Sequence, residues 1–161
     1  MNSDNGVSND ANGFNADPDT DVVHLGSGAS MATNQSGTNM MYAWSQIEGF
    51  SRFAFYYGNG NGDGPFLYCG FRPAMVIVKR ADGTSGKWVL WDTTRDPDSN
   101  VNLEMNLDAS DKEYTSGGNT ISISGTGFKI TSSNARTNTN GAYYIFCAWA
   151  ECPTKYATSI K

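Results

Sequence analysis

Catalysis needs an acid, a base or a nucleophile held in place, and the sequence offers little of that kind. The only histidine, His24, lies in the alternating run DVVHL at residues 21–25, a pattern that puts it on a strand surface. No serine sits in a nucleophile motif such as G-x-S-x-G, so a triad around His24 has no partner to complete it. Paired carboxylates would suit glycoside hydrolysis, but Glu48, Glu104, Glu113 and Glu151 are scattered along the chain. The residues therefore point away from an enzyme. Cys69, Cys147 and Cys152 are an odd number with no C-x-x-C spacing. Buried free thiols made in a reducing cytoplasm are the expectation, with a bridge or a metal site as alternatives.

Binding chemistry has more to build on. Asn59, Asn61 and Asp63, followed by Gly64, match the first half of a calcium loop, in which oxygens at alternate positions wrap the cation. The twelfth position is Gly70 rather than a bidentate Glu, so the loop is unfinished, and the same residues are ordinary turn formers. Asp96, Asp98 and Asn100 form a second such run. Calcium is the one cofactor these patterns suggest. Aromatic residues make up 12% of the chain, and Tyr56, Tyr57, Trp88, Trp91 and Tyr114 could form a platform for a glycan or a subunit contact. Core packing is the competing reading. In KWVLWD one of Trp88 and Trp91 should be buried and the other available. Arg72 and Arg95 stand beside prolines, where a guanidinium can brace adjacent loops, with Asp92 and Asp96 as the expected carboxylate partners.

The elements that must position these residues are strands. Charged residues are only 17% of the 161, and the chain is rich in Gly, Asn, Ser and Thr, which build turns and polar sheet faces. Strict alternation in TISIS and KWVLWD, with breakers such as ADGTSG between runs, predicts an all-β antiparallel sandwich or jelly-roll-like fold. About ten short strands are expected, at 21–25, 39–44, 53–57, 66–69, 75–80, 87–92, 101–107, 120–124, 127–131 and 142–150. The one helical candidate is a turn at 107–114.

Residues 1–18 read as a flexible or loop-like segment, being polar and without Lys or Arg. NQSGTNMMYAWSQIEGF at 34–50 resembles NTNGAYYIFCAWAECPTKY at 138–156, which makes 19–50 the closing strands of a partial repeat and 51–161 a complete β-sandwich domain. Eleven basic against 16 acidic residues give a net charge of −5, so neither nucleic acid nor membrane insertion is expected. The N-terminus lacks the basic and apolar regions of a secretory signal, so that export route is not expected.

GFRP at 70–73, IVKR at 77–80 and DTTRDP at 92–97 stand between GNGNGDGPF at 58–66 and YYIFCAWAECP at 143–153. Over residues 48–157 this pattern resembles a small β-rich domain that recurs, singly or in tandem, in tail-fibre and other structural proteins of tailed, often marine, bacteriophages. The resemblance implies a virion structural protein assembled in the host cytoplasm. A tail-fibre or appendage protein acting in assembly and host-surface contact is the leading form, and a capsid decoration protein is the alternative within the class. A lectin-like carbohydrate-binding module is the reading from a different class. The partners implied are copies of the chain itself, other virion proteins and a host-surface glycan. Strands of 19–50 would then either extend the chain's own sheets or link subunits by strand addition.

Overall fold

The computed structural model of the chain describes residues 21–25, 41–83, 86–115, 118 and 120–152. The chain divides into two compact units, Ser8–Trp44 in one and Met1–Val7 with Ser45–Lys161 in the other.

The larger unit is all-β, and its strands follow the alternation in the sequence. β1 (Ser51–Tyr57), β2 (Phe66–Tyr68), β3 (Pro73–Arg80) and β4 (Trp88–Asp92) come first. β5 (Asn100–Val101), β6 (Leu103–Asn106) and β7 (Tyr114–Thr115) follow. β8 (Ile121–Ser124), β9 (Gly127–Ile130) and β10 (Tyr143–Ala150) complete the set. One antiparallel sheet runs β1-β10-β3-β4-β6, extended at its edge by the two-residue β7; the other runs β2-β9-β8-β5. Pairing of the first strand with the last and of β2 with β9 is the jelly-roll-like part of this β-sandwich, while β3–β4 and β8–β9 stay together as neighbours in one sheet.

The core lies between the sheets. Val76, Val78, Val89, Trp91, Tyr144 and Phe146 face it from the larger sheet, and Leu67, Ile121, Ile123, Phe128 and Ile130 from the smaller. Phe128 meets Phe146 edge-on across the two sheets, with ring centroids 5.3 Å apart, and Tyr56 stacks on Tyr144 at 5.0 Å.

Three expectations are corrected. The strand expected at 101–107 is two strands in different sheets: the chain crosses at Asn102, where the Asp96 carboxylate accepts the N–H groups of Asn102 at 2.8 Å and Leu103 at 3.2 Å. A side chain thus satisfies the amides that leave their ladders at the crossover. No helix forms at 107–114, a turn that leads into β7. Finally, 21–25 holds only an isolated bridge at Leu25, and 41–44 holds no strand; 39, 40 and the segment 26–38 lie outside the described residues. In the smaller unit Tyr42 and Trp44 are exposed and stack on each other at 5.9 Å.

Candidate functional site

The oxygens of the candidate calcium loop are engaged by hydrogen bonds and an ion pair within the protein. The Oδ1 of Asn59 accepts the N–H of Asn61 at 3.0 Å, and the Oδ1 of Asn61 accepts the N–H of Asp63 at 3.1 Å, two side-chain turns in series. Asp63 pairs with the Lys129 ammonium. The fully buried Asn138 inserts its amide into this loop: Nδ2 donates to Asn59 Oδ1 at 2.9 Å, Asn61 O at 2.7 Å and Ser132 O at 2.8 Å. Its Oδ1 accepts the N–H of Asn59 at 2.8 Å. Gly64 is needed beside it, because a Cβ there would lie 2.5 Å from Ile130 O and 2.9 Å from Asn138 Nδ2. In the second run only Asp96 is buried, with its carboxylate turned to the crossover, while Asp98 and Asn100 are exposed. Among the described residues no group of three or more His, Cys, Asp or Glu side chains could hold a metal.

Asn138 belongs to a loop, residues 131–142, that sequence reasoning passed over. Its carbonyls accept the Tyr56 hydroxyl at Thr137 (2.6 Å) and the Tyr144 hydroxyl at Ala135 (2.8 Å). Burial pushes the Tyr56 phenol well above its ordinary value, so it stays a donor at any working pH. Arg136 reaches the fully buried Glu104 on β6 at 2.8 Å. The loop is thereby the polar lid on one end of the sandwich.

The proposed aromatic platform does not assemble. Tyr56 and Trp91 point into the core, whereas Tyr57 and the half-buried Trp88 lie on the outer face of the larger sheet. A different cluster forms instead at the β1 edge. Phe55, Tyr57 and Tyr143 make a three-ring group with centroids 5.3–6.2 Å apart, and Phe55 and Tyr57 are 58% and 61% exposed. Behind it lie half-buried apolar residues on the same face, Phe53 and Trp149 in edge contact at 5.7 Å, then Ile145 and Leu90, while Ile77 between them is buried. β10 shows why the sequence hid this: YYIFCAWA is apolar on both faces, and such a run does not say which face is covered.

The arginines brace loops, but with one partner exchanged. Arg95 pairs with Asp92, as expected, and also with Glu113. Arg72 pairs with Glu151 at 2.9 Å, not with Asp92 or Asp96. Burial pushes the Asp92 carboxyl up, but the N–H groups of Arg95 and Thr94 and the Arg95 guanidinium outweigh it and hold the group below its ordinary value. A lowered carboxylate stabilises the fold above the unfolded value, near pH 4, and the contribution fades as pH falls through the folded value. Asp92→Asn is accordingly expected to cost about 1 kcal/mol at pH 7, screened by solvent, and almost nothing near pH 2. Urea unfolding at the two pH values checks this.

A pocket of about 260 Å³ opens between the start of β1 and the end of β2, lined by Gln46, Glu48, Ser51, Arg52, Tyr68, Cys69 and Gly70. Burial pushes the Cys69 thiol up to about 12 despite the nearby Arg52 guanidinium, so it is no nucleophile at neutral pH. All three cysteines are free, but only Cys69 is buried; Cys147 and Cys152 are half-buried.

The family model described as a domain of unknown function (DUF7483) matches residues 1–153. The chain belongs to this family. Comparison with curated proteins and with solved structures finds no match. The DUF7483 match spans both compact units, so the Ser8–Trp44 unit is part of the family's domain and not an appendage to it.

Proposed function

We propose that the chain is a non-enzymatic structural module of a tailed-phage virion, working by contact between subunits as a tail-fibre or appendage protein. The observation that carries the contact reading is the aromatic edge of the larger sheet. Among the described residues β1 is an edge strand, and edge strands with exposed apolar side chains are templates for association unless covered. The occupant is a second copy of the chain. The outer face carries just Lys79 and Asp92 as charged residues on β1, β10, β3 and β4, so two copies of a chain with net charge −5 can meet there without repulsion. Phe55, Tyr57 and Tyr143 would be the anchor rings of that contact. The virion setting rests on the resemblance of GFRP, IVKR and DTTRDP to phage structural domains. Capsid decoration is the alternative position in the particle.

Sedimentation tests the contact. The chain should associate, and Phe55→Glu should weaken association roughly 30-fold while leaving the monomer folded, because Phe55 is more than half exposed. A monomeric wild-type chain at high concentration would sink the self-contact. Mass spectrometry of purified particles tests the setting: peptides of this chain missing from virions that encode it would exclude a structural role.

A further inference from the structure

The pocket between β1 and β2 has the composition of a small polar binding site. It is lined by the ring of Tyr68, 65% exposed on the outward face of β2 next to the core-facing Leu67, and by the buried Cys69. The opposite wall is the segment before β1, which carries the planar amide of Gln46 and the carboxylate of Glu48. The exposed Gln46 lies beside β1: with its amide turned so that the nitrogen donates to Phe53 O at 3.1 Å, its oxygen accepts from Arg52 Nη1 at 2.9 Å. That bond orients the Arg52 guanidinium, whose Nε is shielded from solvent and has no hydrogen-bond acceptor. Gly70, at φ +82°, turns the chain directly after Cys69 and leaves its missing Cβ 3.7 Å from the Tyr68 hydroxyl, so the turn and the ring are set together.

We propose that this pocket binds one uncharged, hydroxyl-rich sugar ring. Volume limits the ligand first, because about 260 Å³ falls below the range that takes drug-sized molecules and suits a single ring. Charge comes second: Arg52 and Glu48 offset each other, which disfavours an anionic or cationic ligand. Wall chemistry comes third. An aromatic face packs against the C–H face of a pyranose, while guanidinium, carboxylate and amide groups donate to and accept from its hydroxyls. Burial holds the Cys69 thiol protonated, so the pocket retains a ligand without attacking it. This site is separate from the aromatic edge at Phe55 and Tyr57, and either can fail without the other.

Titration of the ¹⁵N-labelled chain with glucose, galactose, mannose and N-acetylglucosamine, and with glucuronate as the charged control, tests the proposal. At least one neutral sugar should shift the amides of Arg52, Tyr68, Cys69 and Gly70 with a dissociation constant of about 1 mM. Tyr68→Ala should weaken that sugar about tenfold with unchanged thermal unfolding, and Tyr68→Trp should retain it. Arg52→Lys, which keeps the charge and removes the planar guanidinium, should weaken it too. Absence of pocket shifts with every neutral sugar, tighter binding of glucuronate, or equal binding by Tyr68→Ala would each overturn the proposal.

Discussion

Asn138→Ala is expected to lower the free energy of unfolding by about 3 kcal/mol. The side chain is fully buried and every one of its polar atoms is used. Truncation removes the donor from the carbonyls of Asn61 and Ser132 and the acceptor from the N–H of Asn59. A net hydrogen bond contributes about 1 kcal/mol, but a buried group left unsatisfied costs about 1–3 kcal/mol, and the loss is moderated because the 59–63 loop can open to water. The two loops that Asn138 joins also hold each other through Gly60 N to Asn138 O at 3.0 Å and Gly141 N to Gly58 O at 2.8 Å, so the damage should spread to both. Asn138→Asp separates this account from simple loss of volume. It preserves size yet turns an oxygen toward Asn59 Oδ1, Asn61 O and Ser132 O, and should cost at least as much as alanine. Urea unfolding of the three proteins measures the order; an aspartate variant as stable as wild type would show that the amide donor is dispensable.

Arg136→Met is the second large effect, expected at about 3 kcal/mol. Glu104 lies on the core side of β6 with no solvent exposure, and removing its cation takes the opposite charge away from a carboxylate that water cannot reach. The value sits at the low end of the range for breaking a buried pair because the Arg136 side chain keeps 25% of its surface in water, so part of its contribution is already screened. Glu104→Gln removes the charge and keeps the shape. The double variant Glu104→Gln/Arg136→Met should therefore be more stable than Arg136→Met alone, and its cost should be less than the sum of the two single changes. Thermal or urea unfolding of the four proteins gives the coupling directly. Additive costs would mean that the two groups do not stabilise one another.

Eight of the ten expected strand regions were legible because a half-buried strand has to alternate. ISIS at 121–124 and WVLWD at 88–92 place Ile121, Ile123, Val89 and Trp91 in the core as the pattern requires. The same physics explains the failures. DVVHL alternates too, yet alternation states only that one face wants cover, not that a neighbouring strand exists to supply it, and residues 21–25 hold a bridge alone. The run 101–107 alternates in polarity without a break, yet the inward phase slips by one residue at the change of sheet: Val101 is buried on β5, whereas on β6 it is Glu104 and Asn106 that are buried and Leu103 and Met105 that are half-buried.

Sites were harder to read than strands, for a related reason. Asn59, Asn61 and Asp63 are metal ligands or turn formers according to what fills the space between them. That filler is Asn138, 79 residues from Asn59, in a stretch noted only for its likeness to another segment. Arg95 found Asp92 because the two are three residues apart, whereas Arg72 found Glu151 at a separation of 79. By itself the sequence determined what short-range rules can reach: an all-β class, the periods of the strands, the turn chemistry of its Gly, Asn and Asp residues, and a net charge that disfavours polyanions. Only the tertiary structure decided which oxygens are free, which aromatic rings are exposed and which loops meet around a pocket. Those depend on groups brought together from distant parts of the chain, and local periodicity carries no information about them.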